Sequence, residues 1–96
     1  MNHAIKFKFR IYVADNTQNS EQAIVNLNAF CRDHLPDRYE IEVVDVFREP
    51  KRALADGIFL TPTLVKVSPS PVRKIVGTLS QVEPMLHALG LEALNA

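Results

Sequence analysis

The 96-residue chain is 47% apolar and 23% charged, an ordinary globular balance at a length that folds as one domain with little material left for a deep substrate cavity. Eleven basic residues offset eleven acidic ones, which removes the cation surplus on which a nucleic-acid module depends. The lone Cys31 allows no internal disulfide, the start Met1 to Lys6 shows no leader pattern, and no window nears the roughly 20 apolar residues that span a bilayer, so the reading is a soluble, cytoplasmic protein.

The first predicted element is a strand. Ile5, Phe7, Phe9, Ile11 and Val13 alternate with Lys6, Lys8, Arg10 and Tyr12, so one face is covered and the other open. Asp15 to Ser20 is rich in helix-capping residues, and Ala23, Ile24, Leu27, Phe30 and Cys31 recur at helical spacing up to His34. This predicts a helix of roughly 14 residues, ended by Pro36-Asp37. Ile41 to Phe47 is a second strand, apolar enough to be buried on both faces. Together these form a βαβ unit with a parallel strand pair.

After Glu49, Pro50 opens a short helix through Asp56, with Gly57 as its stop. Ile58 to Val67 reads as a strand interrupted by Thr61-Pro62-Thr63; a proline there implies an edge, a bulge or a cis bond. Ser68-Pro69-Ser70-Pro71 is a rigid turn, Val72 to Val76 a further strand, and Gly77 its end. Ser80-Gln81-Val82-Glu83 has the capping-box pattern, with Val82, Met85, Leu86 and Leu89 as the stripe of a last helix and Pro84 in its first turn. The resulting order is βαβαββα, that of thioredoxin-like proteins.

The chemistry of that fold is missing. A redox member needs Cys-x-x-Cys where the first helix begins, because the helix N-terminus lowers the thiol pKa. Ala14-Asp15-Asn16-Thr17 stand there instead. Cys31 falls on the apolar stripe and reads as a buried structural thiol. His3, His34 and His87 have no metal-pair spacing, and His34 suits the negative end of its helix. Neither a Gly-x-Ser-x-Gly elbow nor a phosphate-binding Gly-rich loop is present. No cofactor or metal is expected. Asp45 is read as a cap or edge residue, with a buried acid as the alternative. Lys51-Arg52 and Arg73-Lys74 are basic pairs, either solvated surface or an ionic contact for a partner.

Four stretches, in order and spacing, resemble the KaiB family: Tyr12 to Thr17 with Asn19-Ser20, Val43 to Val46, Thr61 to Leu64, and Pro71 to Gly77 with Leu79-Ser80. The likeness runs from about Phe7 to Leu91. It implies a non-catalytic protein that binds the N-terminal ring of a KaiC-type hexameric ATPase and, where present, helps capture KaiA. It also implies two folds sharing the βαβ half, residues 1–49. One is a ground state ordered βαββααβ, expected for a free homodimer or homotetramer; the other is a thioredoxin-like, KaiC-binding monomer ordered βαβαββα.

Under the resemblance, residues 50–96 are rebuilt in the switch. Pro62, Pro69, Pro71, Gly77, Ala88 and Gly90 are the switch candidates, since X–Pro bonds exchange over tens of seconds or longer and would slow it. The surface shown to KaiC is carried here by Pro50, Lys51, Arg52, Ala55 and Asp56, with a charge pattern unlike the family's. Asp15 stands for the usual first-turn glycine and Gln18 for the usual proline. The acidic tail common in cyanobacterial members is replaced by Leu91 to Ala96.

Ala88 replaces a glycine and Gly90 an aspartate. With both placed in the last helix, their helix propensities differ by about 1 kcal/mol in opposite senses and nearly cancel. Gly90→Ala is then expected to favour the thioredoxin-like monomer. A second reading is the KaiB-related sensor domain of a SasA-type histidine kinase; the Thr61-Pro62-Thr63 and Pro69/Pro71 pattern is expected to suit KaiB better.

Overall fold

The computed structural model describes residues 6–15 and 17–91. Expectations that touch His3, Ile5, Asn16 or the tail from Glu92 to Ala96 lie outside these residues.

The first strand, β1 (Phe7–Val13), buries Phe7, Phe9, Ile11 and Val13 on one face, as its alternation requires. Tyr12, expected on an open face, is fully buried on the other side, because a second layer covers that end of the sheet. Thr17 caps α1 (Gln18–His34), its hydroxyl accepting from the Ser20 amide at 3.3 Å. Ser20 is itself buried, and its Oγ accepts from the Ala14 amide at 3.2 Å, tying the strand exit to the helix start. The helix runs 17 residues and buries the predicted stripe of Ala23, Leu27, Phe30 and Cys31.

Among the described residues, four strands form one sheet in the order β2-β1-β3-β4. β2 (Tyr39–Asp45) runs parallel to β1, completing the expected βαβ unit. β3 (Thr63–Ser68) is antiparallel to β1, and β4 (Arg73–Val76) antiparallel to β3. β2 is therefore an edge strand, which corrects its expected burial on both faces. Only Val44 is buried within it, Val43 is half-exposed, and Phe47 lies beyond the strand in an exposed turn. A strand with one neighbour cannot be enclosed as a central parallel strand is.

α2 (Pro50–Ala55) begins at its proline as predicted and is followed by Asp56 and Gly57. The predicted strand from Ile58 shortens to β3: Ile58 packs into the core, and the Thr61–Pro62 peptide is cis, as are those before Pro69 and Pro71. The last helix, α3 (Val82–Leu89), is capped by Gln81 without a side-chain bond, so the Ser80 capping box does not form. Met85, Leu86 and Leu89 are buried, while Val82 stays exposed.

Gly90 is not in the helix interior as expected; it is the left-handed cap beyond it, at φ 71°. Alanine at 90 is therefore strained in this arrangement rather than favoured by helix propensity.

Two cores sit on opposite faces of the sheet. α1 and α3 cover the larger one, built on Phe7, Phe9, Ile11, Val13 and Leu64. Tyr12, Val44, Ala53, Ile58 and Val65 form the smaller one under α2. The observed order βαβαββα is the thioredoxin-like one of the two arrangements, not the ground-state order expected for a free oligomer.

Candidate functional site

The position of a thioredoxin dithiol carries no thiol. Ala14 leads into an exposed Asp15 in the left-handed region at φ 50°, then into the Thr17 cap. Cys31 is buried behind the sheet, and burial pushes its thiol up to about 12. Asp45 caps a turn, its Oδ1 accepting from the Phe47 amide at 2.8 Å. His34 rests against the Phe30 ring, and the described residues hold no cluster of three or more metal-ligating side chains.

The chemistry concentrates instead beneath α2. From β1, the Tyr12 hydroxyl donates to Asp56 Oδ2 at 2.5 Å, and Arg10 Nη1 donates to the same oxygen at 3.0 Å. Arg10 Nε also donates to Glu42 on β2 at 3.0 Å. Arg52 closes the chain of charges, with Nη1 and Nη2 on the two Glu42 oxygens at 2.7 and 2.8 Å and Nη1 on Glu49 at 3.2 Å. Lys74 of β4 donates to the Asp56 carbonyl. The bidentate Arg52 bond, then Arg10, holds the Glu42 carboxyl down to about 2. Asp56 is lowered by the Tyr12 bond first, with Arg10 adding to it against the cost of burial.

This network divides the five contact candidates. Arg52 and Asp56 are drawn inward to pin α2 to the sheet, whereas Pro50, Lys51 and Ala55 are exposed. Sequence reading missed three apolar residues on this part of the surface. Leu54 is 74% exposed, Phe59 88% and Leu60 63%. Because Ala53 turns inward, its neighbour Leu54 must point away, about 100° around the helix. Phe59 and Leu60 were hidden inside a predicted strand that does not form. They border a shallow cleft of about 120 Å³ with Ile58, Thr63 and Val76. Exposed apolar groups around a rigid charged frame suit a protein partner.

The switch candidates are not gathered into one site. Pro62 is buried at the start of β3, Gly77 links β4 to α3 with its amide on the Pro62 carbonyl at 2.9 Å, and Ala88 lies within α3. Pro69, Pro71 and Gly90 line one cavity, on the α3 side of the sheet.

Comparison with known proteins bears on the family and the fold. The KaiB domain family matches residues 10–91. The chain is 41% identical over 83 residues to the circadian clock protein KaiB3 of Synechocystis, spanning 86% of this chain and 79% of that one. In fold it is similar to the N-terminal domain of SasA from Synechococcus elongatus, with TM-score 0.75 at 16% identity over 100% of this chain and 90% of that one. A Fasciola hepatica thioredoxin superposes with TM-score 0.70 at 12% identity, covering 92% and 82% of the two chains. The family match over residues 10–91, with 41% identity to a KaiB3 along most of the chain, identifies this chain as a member of the KaiB family.

Proposed function

We propose that the protein is a non-catalytic clock or timing regulator that binds the N-terminal ATPase ring of a KaiC-type hexamer. The face bearing α2 and the Leu54, Phe59 and Leu60 side chains makes the contact. The observation that carries this reading is the exposed apolar group beside Pro50, Lys51 and Ala55, on a helix held rigid by Arg52 and Asp56. Kinship with the clock protein KaiB3 supports the choice of partner. The absence of a thiol at the start of α1 supports a binding role rather than a redox one.

In this reading the free protein is a homodimer or homotetramer in the ground-state fold. Residues 50–96 rebuild into the thioredoxin-like order to bind, and KaiA is a further partner where one exists. Two packings separated by a few kcal/mol suffice for such a change. The SasA-type sensor reading has only a likeness of fold behind it, at 16% identity, and is the weaker of the two.

The test is co-elution with a KaiC-type hexamer after hours of incubation, alongside a hydrolysis-arrested ring. Binding is expected, with Leu54→Ser and Phe59→Ser each weakening it about tenfold or more. No complex with either ring overturns the proposal. Full affinity in both variants moves the contact off this face.

A further inference from the structure

Lys66 and Arg73 are direct cross-strand partners in the β3–β4 pairing. Like charges so placed repel. Lys66 lies on the α1/α3 face of the sheet with only 4% of its surface exposed. Among the described residues its ammonium hydrogen-bonds a neutral group, the Leu89 carbonyl at the end of α3, at 3.3 Å. A buried ammonium ordinarily has a carboxylate beside it.

Here the two cations open onto a cavity of about 340 Å³ whose wall also includes Arg38 and His87 and, among the described residues, no acid. Phe7, Leu89, Leu91, Pro69 and Pro71 supply the apolar remainder. On the opposite face of the sheet, Glu42, Glu49 and Asp56 are committed to Arg10 and Arg52.

We propose that this cavity binds a phosphate group, free or on a small organic body, with Lys66 and Arg73 as its principal donors. An oxyanion between them turns a repulsive cross-strand pair into two charge-assisted hydrogen bonds. Burial, and then the Arg73 charge, holds the Lys66 ammonium below the ordinary lysine range, and a bound anion relieves both. The size suits a phosphorylated small molecule, at the lower end of ordinary ligand pockets. Lys66 also closes the last turn of α3, so the ligand would steady the helix end as well as the strand pair. The site is independent of the α2 face and does not require a KaiC-type partner.

The test uses inorganic phosphate, pyrophosphate and adenosine monophosphate against sodium chloride at matched ionic strength. Thermal unfolding and amide NMR shifts of the full chain are the readouts. The phosphates are expected to raise Tm beyond the chloride control and to shift the amides of Lys66, Arg73 and Gly90. Lys66→Met and Arg73→Gln should each weaken binding about tenfold or more, whereas Arg48→Gln, far from the cavity, should not. Tighter binding of adenosine monophosphate than of inorganic phosphate assigns the apolar wall to an organic body; equal binding assigns a free anion. Responses no larger than chloride's, or unchanged affinity in Arg73→Gln, which alters an exposed residue and leaves the fold intact, overturn the proposal.

Discussion

The hydroxyl of Tyr12, a fully buried residue of β1, donates to the Asp56 carboxylate at 2.5 Å across 44 residues of sequence. This bond and the Arg10 contact fasten the end of α2 to the sheet, so the exposed face of that helix is presented at a set angle. Tyr12→Phe keeps the ring and removes the donor. A hydrogen bond to a charged group contributes about 1.5–3 kcal/mol. Chemical denaturation should show a loss at the lower end of that range, because Arg10 remains on Asp56. Stability equal to the parent's would mean that the bond does not hold α2.

Stability should depend on acid. Glu42, held down to about 2 by Arg52 and Arg10, and Asp56, lowered chiefly by the Tyr12 bond, both have folded-state values below those of the unfolded chain. A depressed carboxyl contributes stability above its unfolded value, about 4, and loses it as the pH falls through its folded value. The urea midpoint is therefore expected to be flat from neutrality to about pH 5 and to fall between about 4 and 2. Glu42→Gln should flatten part of that slope. Its share stays modest, because the carboxylate is half-exposed and solvent screens it. A midpoint that rises on acidification contradicts the assignment.

Gly90 caps α3 at φ 71°, and a Cβ built there meets nothing within 4 Å. The cost of Gly90→Ala is then that of the left-handed backbone alone, about 1 kcal/mol. For a domain of this size, Tm should fall by about 4–8 °C. The variant should also disfavour the thioredoxin-like order relative to a packing in which residue 90 has a negative φ. Size-exclusion chromatography showing more monomer than in the parent would reverse that conclusion.

Cys31 is fully buried, and its thiol is pushed up to about 12, so a thiolate does not form near neutrality. A thiol reagent should leave the native protein unlabelled and react stoichiometrically in denaturant. Rapid labelling of the folded chain at neutral pH would refute the buried assignment.

Local pattern was enough for a good part of this protein. Alternation in Phe7 to Val13 and the stripe from Ala23 to Cys31 depend on dihedrals and periodicities set within a few residues, and both elements formed as read. Pro50 at a helix start and the missing dithiol at Ala14 to Thr17 are equally local facts, and motif order along the chain was enough to indicate the family. What the pattern could not reveal depended on which elements meet. Val43 looked buried until β2 proved an edge strand, and Tyr12 looked open until α2 covered it. Arg52 and Asp56 looked free until Glu42, Arg10 and Tyr12 arrived from other strands, while Leu54, Phe59 and Leu60 were left outside. The pairing of Lys66 with Arg73 and the left-handed turn at Gly90 belong to the same class. Edge position, cross-strand neighbours and the residue at which a helix stops are set by long-range packing, and that packing selects among conformations the local sequence permits equally.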